Sequence, residues 1–209
     1  MIRAVIFDMD GVLVRSEQFY GQRRSDFLRL HGMELPEGFD ATGSNDRAVW
    51  RALVPGDEAL RERLRLEYLT YAREHRPPWR ELLAPGVRET LAALRGRGVA
   101  TAICSSSRRA FVEDFVATVG IGELLDALVT GDDCAALKPD PEPYRCSMAR
   151  LGVSPDDTVV VEDSPIGIRA GRAAGAYVCA VRSEAGAPLD QGEADRVIDG
   201  LREVLALLG

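Results

Sequence analysis

Short stretches at residues 4–7, 99–104, 127–130, 158–161 and 177–181 are rich in β-branched residues and run apolar throughout instead of alternating with polar residues. A strand that alternates buries one face, whereas a strand apolar along its length has to be covered on both. Between the later stretches lie helix-spaced patterns at 87–97, 107–119, 141–151 and 165–174, and a last one at 201–208 follows a brief strand at 196–198. Strand alternating with helix predicts an α/β fold, a Rossmann-like parallel sheet with helices on both faces. Asp140-Pro141 and Ser164-Pro165 each set a capping residue before a proline at the first helical position, while Gly152 and Gly175 follow helix ends.

The segment between Val14 and Pro85 breaks this alternation. It carries no strand pattern, and 16–31, 46–54 and 57–74 show helix-spaced apolar residues such as Phe19, Phe27, Leu28 and Leu30, or Leu60, Leu64, Tyr68 and Tyr71. The chain therefore divides into an α/β core, 1–14 with 85–209, and an inserted helical domain, 15–84. The stretches 13–16 and 81–86 serve as the two linkers. Arg23, Arg24, Arg61, Arg63 and Arg65 are expected on solvated faces, Trp50 and Trp79 inside the insert, and His31 and His75 at the surface or at helix ends.

In an open parallel sheet, ligands bind beyond the carboxyl ends of the strands. Strand one exits through Asp8-Met9-Asp10-Gly11, the second through Ser105-Ser106-Ser107, and 158–161 through Glu162-Asp163-Ser164-Pro165, with Lys138-Pro139-Asp140-Pro141 in a loop between them. Taken singly, these are ordinary turn and cap residues. Together they crowd like charges: two carboxylates about 4 Å apart repel by about 4 kcal/mol at an effective dielectric near 20. A cation is expected there. The oxygens of Asp8, Asp163 and Glu162 suit Mg²⁺, whereas zinc calls for histidine or thiolate. A phosphate dianion fits beside Mg²⁺, a lysine, a serine hydroxyl and helix N-termini. Two aspartates at one strand exit supply a nucleophile for phosphorus and an acid for the leaving oxygen.

The charge balance narrows the partners. With 26 basic and 33 acidic residues the net charge is −7, which argues against nucleic acid and anionic membranes. Asp8 and Asp10 interrupt the apolar start, and no run approaches the roughly 18 residues of a membrane helix. Cys104, Cys134, Cys146 and Cys179 form no C-x-x-C pair and have no neighbouring histidine; they read as reduced, mostly buried thiols of a cytoplasmic protein, monomeric or weakly oligomeric.

Phe7-Asp8-Met9-Asp10-Gly11-Val12-Leu13, the strand-end Ser105, Lys138 within Leu137-Lys138-Pro139-Asp140-Pro141, and the run from Val161-Glu162-Asp163-Ser164-Pro165 to Ala170-Gly171 resemble, in order, the motifs of the haloacid dehalogenase-like hydrolases. The resemblance implies a phosphomonoesterase with Asp8 as nucleophile, forming an aspartyl-phosphate, and Asp10 as acid/base. Ser105, with Ser106 beside it, and Lys138 would hold phosphate; Asp8, the Asp10 carbonyl, Glu162 and Asp163 would hold Mg²⁺. The insert resembles the cap of the branch containing β-phosphoglucomutase and small sugar phosphatases, so a small phosphorylated metabolite, in particular a sugar phosphate, is the expected substrate. The second acid, Asp10, is similar to the phosphatases and mutases and unlike the dehalogenases. Arg15 stands where many relatives have aspartate, and Tyr20 where similar β-phosphoglucomutases have histidine, which favours phosphatase over phosphomutase. Gly43-Ser44-Asn45-Asp46-Arg47 resembles a substrate-facing loop and marks Arg47 for specificity. Arg108, with Arg109, is expected either to reach a distal substrate group or to stand in solvent. A receiver-like phospho-acceptor uses the same ingredients, but with adjacent acids at its first strand and no insert.

Overall fold

A computed structural model describes residues 1–39, 41, 46–182 and 189–208. The chain forms two compact units, Met1–Arg15 with Trp79–Gly209, and Ser16–Pro78.

The first unit holds a parallel six-stranded sheet in the order β3-β2-β1-β4-β5-β6. Its strands are β1 (Ala4–Phe7), β2 (Ala100–Cys104), β3 (Ala127–Val129), β4 (Thr158–Glu162), β5 (Tyr177–Val181) and β6 (Arg196–Ile198). β1 is central and buried at every position, pairing with β2 through Phe7 and Ile103 and with β4 through Phe7 and Val161. Val5 and Phe7 point into one apolar layer and Ile6 into the other, which explains the absence of alternation. Burying a side chain such as Phe7 stabilises the fold by about 1.5–3 kcal/mol.

The first layer packs Val5, Phe7, Ile103 and Val161 against α5 (Val87–Gly96), α6 (Arg109–Val119) and the 3₁₀ helix Leu201–Leu208. The second packs Ile6, Ala102, Val160 and Val178 against α7 (Glu142–Leu151) and α8 (Pro165–Ala173). Ser164 caps α8 by accepting the Gly167 N–H. At α7 the Asp140 carboxylate accepts the Glu142 N–H at 2.8 Å.

The second unit contains α1 (Glu17–Leu30), α2 (Asp46–Leu53) and α3 (Glu58–Glu74). They close on Phe27, Leu28, Val49, Trp50, Leu64 and Tyr68, with the Phe27 and Tyr68 rings 5.2 Å apart. His31 and His75 sit at the C-terminal ends of α1 and α3. Among the described residues, no helix is long and apolar enough to cross a membrane.

Three sequence expectations change. Trp79 does not pack the insert: it begins a short helix, α4 (Trp79–Leu82), and is buried against Phe111 and Phe115, with its indole N–H donating to Asp114 at 2.8 Å. Residues 79–84, read with the insert, thus pack with the sheet. Arg23 is buried, donating to the Tyr68 hydroxyl and to the His75 carbonyl, both at 3.1 Å; its long stem packs while its guanidinium is satisfied by polar partners. Cys134 and Cys146 are half-buried, and only Cys104 and Cys179 are fully enclosed.

Candidate active site

The order of strands reverses direction between β1 and β4, and a crevice at such a switch point is where open α/β sheets bind ligands. Asp8 follows β1 there, its N–H donating to the Val161 carbonyl at 2.9 Å and so prolonging the pairing with β4. The chain then turns tightly, with the N–H groups of Leu13 and Val14 both donating to the Met9 carbonyl. Gly11 makes this turn at φ 83°, and a Cβ there would lie 2.0 Å from Oδ2 of Asp163. No side chain fits, so the turn can approach the acidic end of β4 only with glycine.

Lys138 draws the site together. Its ammonium donates to Oδ1 of Asp8 at 2.5 Å, to Oε1 of Glu162 at 2.7 Å and to the Cys104 carbonyl at 2.9 Å, and lies 4.7 Å from the Tyr144 ring centre. Glu162 is fully engaged. Oε1 also accepts from the Tyr144 hydroxyl at 2.7 Å, and Oε2 accepts from the Asp163 and Ser164 N–H groups and the Ser164 hydroxyl. A Cβ on Gly167 would fall 1.8 Å from Oε1 of Glu162, so the first turn of α8 leaves room for this carboxylate only with glycine at that position. The expected metal role for Glu162 therefore meets a carboxylate that already neutralises Lys138.

Two buried carboxylates share one ammonium. Burial would push Lys138 down, but Asp8 and Glu162 outweigh it and hold it well above the ordinary lysine value. Burial would raise Glu162, but Lys138, Tyr144 and the Ser164 N–H bring it below the usual range. For Asp8, burial with the charges of Glu162 and Asp10 outweighs Lys138, and its carboxyl is pushed up to about 8. The pair is short of positive charge, and Asp8 bears the deficit. Oxygens of Asp8, Glu162 and Asp163 lie within 4.8 Å of one another. Asp8 and Asp163 of this all-oxygen set, with the space Gly11 preserves beside Asp163, fit a hard divalent cation such as Mg²⁺, whereas Glu162 is taken by Lys138, Tyr144 and Ser164.

The other expected residues separate. Ser105 is buried and its hydroxyl accepts the Ser107 N–H at 3.1 Å. Ser107 donates to Oδ2 of Asp10 at 3.3 Å, so its hydroxyl is brought to the second aspartate. Ser106 is exposed. Arg108 is the exposed residue preceding α6. Arg109 is held by both Asp133 oxygens at 2.6 Å, with its side chain still 37% exposed. Arg47 lies exposed on α2 of the helical unit, and Gly43–Asn45 of its loop fall outside the described residues.

Tyr144 and Gln191 went unmarked in the sequence, and Gly11 and Gly167 stood in it only as members of the motif runs, with no role of their own. Gln191 donates to the carbonyls of Asp163 at 2.8 Å and Val181 at 2.7 Å, fixing the end of β4. Tyr144 had a signal: α7 buries Pro143, Tyr144, Ser147 and Met148, and a hydroxyl on a buried face needs a partner.

The family model described as haloacid dehalogenase-like hydrolase matches residues 2–175. The chain belongs to the haloacid dehalogenase-like hydrolases. It is 30% identical over 217 aligned positions to validoxylamine A 7'-phosphate phosphatase of Streptomyces hygroscopicus subsp. limoneus, covering 98% of this chain and 96% of that one. It is 31% identical over 183 positions to hexitol phosphatase B of Escherichia coli K12, covering 83% and 80%. The fold matches that of β-phosphoglucomutase from Clostridium difficile with a TM-score of 0.79 at 21% identity, over 98% of this chain and 93% of that one. As a haloacid dehalogenase-like hydrolase with phosphatases among its relatives, the chain is an enzyme, and its Asp8 cluster lies at the sheet edge where such a fold binds ligands.

Proposed function

We propose that this chain is a Mg²⁺-dependent phosphatase that hydrolyses a small phosphorylated metabolite, in particular a sugar phosphate, through an aspartyl-phosphate on Asp8. The observation that carries the reading is the buried contact of Asp8 with Lys138 at the switch point, beside Asp163 and Asp10. Phosphatases acting on phosphorylated sugar-like compounds among the relatives support it.

Lys138 opposes, without overcoming, the burial that pushes the Asp8 carboxyl up, and a bound Mg²⁺ would add the positive charge that ionises it for attack. An Asp8 oxygen attacks phosphorus while the bond to the ester oxygen breaks, and Asp10 gives that oxygen its proton. Water then attacks the same phosphorus, Asp10 takes the water proton, and the Asp8–phosphorus bond breaks to release phosphate. Ser107 orients the Asp10 carboxyl through its hydrogen bond. Ser105 and Lys138 are read as donors to the phosphoryl oxygens. Asp8, Asp163 and the Asp10 carbonyl would hold Mg²⁺, which when bound supplies neutralisation of the carboxylates and of the phosphoryl charge. Substrate choice is assigned to the helical insert acting as a cap, with Arg47 as its first test position.

The experiment is phosphate release from a panel of sugar phosphates and other small phosphomonoesters, with Mg²⁺ and with EDTA, by wild type and Asp8→Asn. Metal-dependent release that disappears in a folded Asp8→Asn is expected; a fully active variant refutes the mechanism. Isomer formation outpacing release would turn the reading to a phosphomutase, and a long-lived phosphoprotein without turnover to a phospho-acceptor.

A further inference from the structure

Cys134 lies in the loop after β3, and Cys146 lies one helical turn beyond Glu142 on α7. The fold thereby gathers two thiols and a carboxylate whose ligand atoms all lie within 4.8 Å of one another, on three half-buried residues. Glu142 is held in place there. Its Oε1 accepts the Ala135 N–H at 3.0 Å and Oε2 the Ala136 N–H at 2.8 Å, and each oxygen keeps a lone pair for another partner. Asp133, the acid adjacent to Cys134, is instead taken up by Thr130, Arg109 and Arg150. The cluster therefore offers two sulfurs and one oxygen.

We propose that Cys134, Glu142 and Cys146 form a binding site for a thiophilic divalent cation of the zinc class, with a remaining position open to water. Sulfur binds zinc at about 2.3 Å and a carboxylate oxygen at about 2.0–2.2 Å, so ligands of a tetrahedral ion stand about 3.8 Å apart. Atoms already within 4.8 Å need to close by no more than about 1 Å. Mg²⁺ avoids sulfur and is left to the Asp8 cluster. Burial, aided by the Cys146 thiol and the charges of Glu142 and Asp133, pushes the Cys134 thiol up to about 11; the cation displaces a proton on binding, and its affinity rises with pH. The loop that carries Cys134 also carries Lys138, and α7 also carries Tyr144, so an ion here ties together the two segments that reach Glu162.

Two measurements on the full chain test this, both with Mg²⁺ present and neither reading phosphatase activity. The first is the rate of alkylation of each cysteine, resolved by peptide mass, with and without zinc. Cys104 and Cys179 are buried and serve as unreactive references. Zinc at about ten times its Kd slows alkylation of Cys134 and Cys146 about tenfold, because the free fraction is 1/(1 + [L]/Kd). The second is titration with Cd²⁺, read as the ultraviolet thiolate-to-cadmium band, for wild type, Cys134→Ser and Cys146→Ser. One equivalent of band in wild type and its loss in each variant is expected. Equal alkylation with and without zinc overturns the proposal without any variant having to fold; so does a cadmium band that survives in both folded variants.

Discussion

Gly167→Ala sets two effects of opposite sign against each other. In a helix, alanine is more favourable than glycine by about 1 kcal/mol, so propensity alone predicts a more stable protein. The added Cβ, however, would sit 1.8, 2.0 and 2.2 Å from Oε1, Cδ and Oε2 of Glu162. That carboxylate is only 1% exposed, and Lys138, Tyr144 and Ser164 hold it, so it has no free volume into which to swing. Displacing it breaks a buried ion pair, which costs about 3–5 kcal/mol. Set against the propensity gain, the net expectation is destabilisation by about 2–4 kcal/mol. The assay is urea unfolding followed by circular dichroism. Gly21→Ala is the control: it lies within α1 with nothing within 4 Å of the added Cβ, and it is expected to stabilise by up to about 1 kcal/mol. A Gly167→Ala protein as stable as wild type, or more so, would refute the account of a space kept open for Glu162.

Gly11→Ala forces a side chain into a left-handed backbone and onto Asp163; the Mg²⁺ concentration for half-maximal phosphate release is expected to rise about 10–100-fold, and an unchanged requirement would contradict the assignment of Asp163 to the metal. Tyr144→Phe deletes a hydrogen bond to a charged carboxylate, worth about 1.5–3 kcal/mol. A lower kcat at nearly constant KM, in a protein that melts as one transition, is expected from its role in positioning Glu162. For Asp133, burial raises the carboxyl, but Arg150, Thr130 and Arg109 overcome this and leave it well below the usual carboxylate range. Its stabilisation is therefore present above the unfolded value of about 3.9 and disappears as pH falls through the folded one. Asp133→Asn is expected to be less stable than wild type at neutral pH, with the gap shrinking in acid; a constant gap would count against the ion pairs.

The sheet was legible because its chemistry is local and periodic. Strands covered on both faces have to read as continuous apolar runs, and 4–7, 158–161 and 177–181 do so without tertiary information. The polar residues at their exits were legible for the same reason, since Asp8, Lys138 and Glu162 are brought together by where the strands end. What escaped depends on distances between segments remote in sequence. Gly11 and Gly167 look like turn and helix glycines, and only the carboxylates facing them show why no Cβ is tolerated. Trp79 belongs by pattern to the helical stretch before it, yet the indole is claimed by Asp114. Arg23 belongs to an arginine-rich face, yet Tyr68 and the His75 carbonyl take its guanidinium inside. Cys134 and Cys146 have no metal-site spacing, and only the return of α7 along β3 makes them neighbours.

The chain leaves and re-enters the sheet unit through two adjoining peptides. Arg15 donates to the Leu82 carbonyl at 2.8 Å and Ala84 to the Leu13 carbonyl at 2.9 Å, with Val14 and Leu83 as an antiparallel bridge. With the ends already stapled, the length of what lies between enters the closure entropy only as a logarithm, about 0.6 kcal/mol for each doubling. Lineages could therefore lengthen, shorten or exchange the intervening helices almost without thermodynamic consequence for the sheet. Diversity can accumulate in the insertion while the acidic cluster is inherited unchanged.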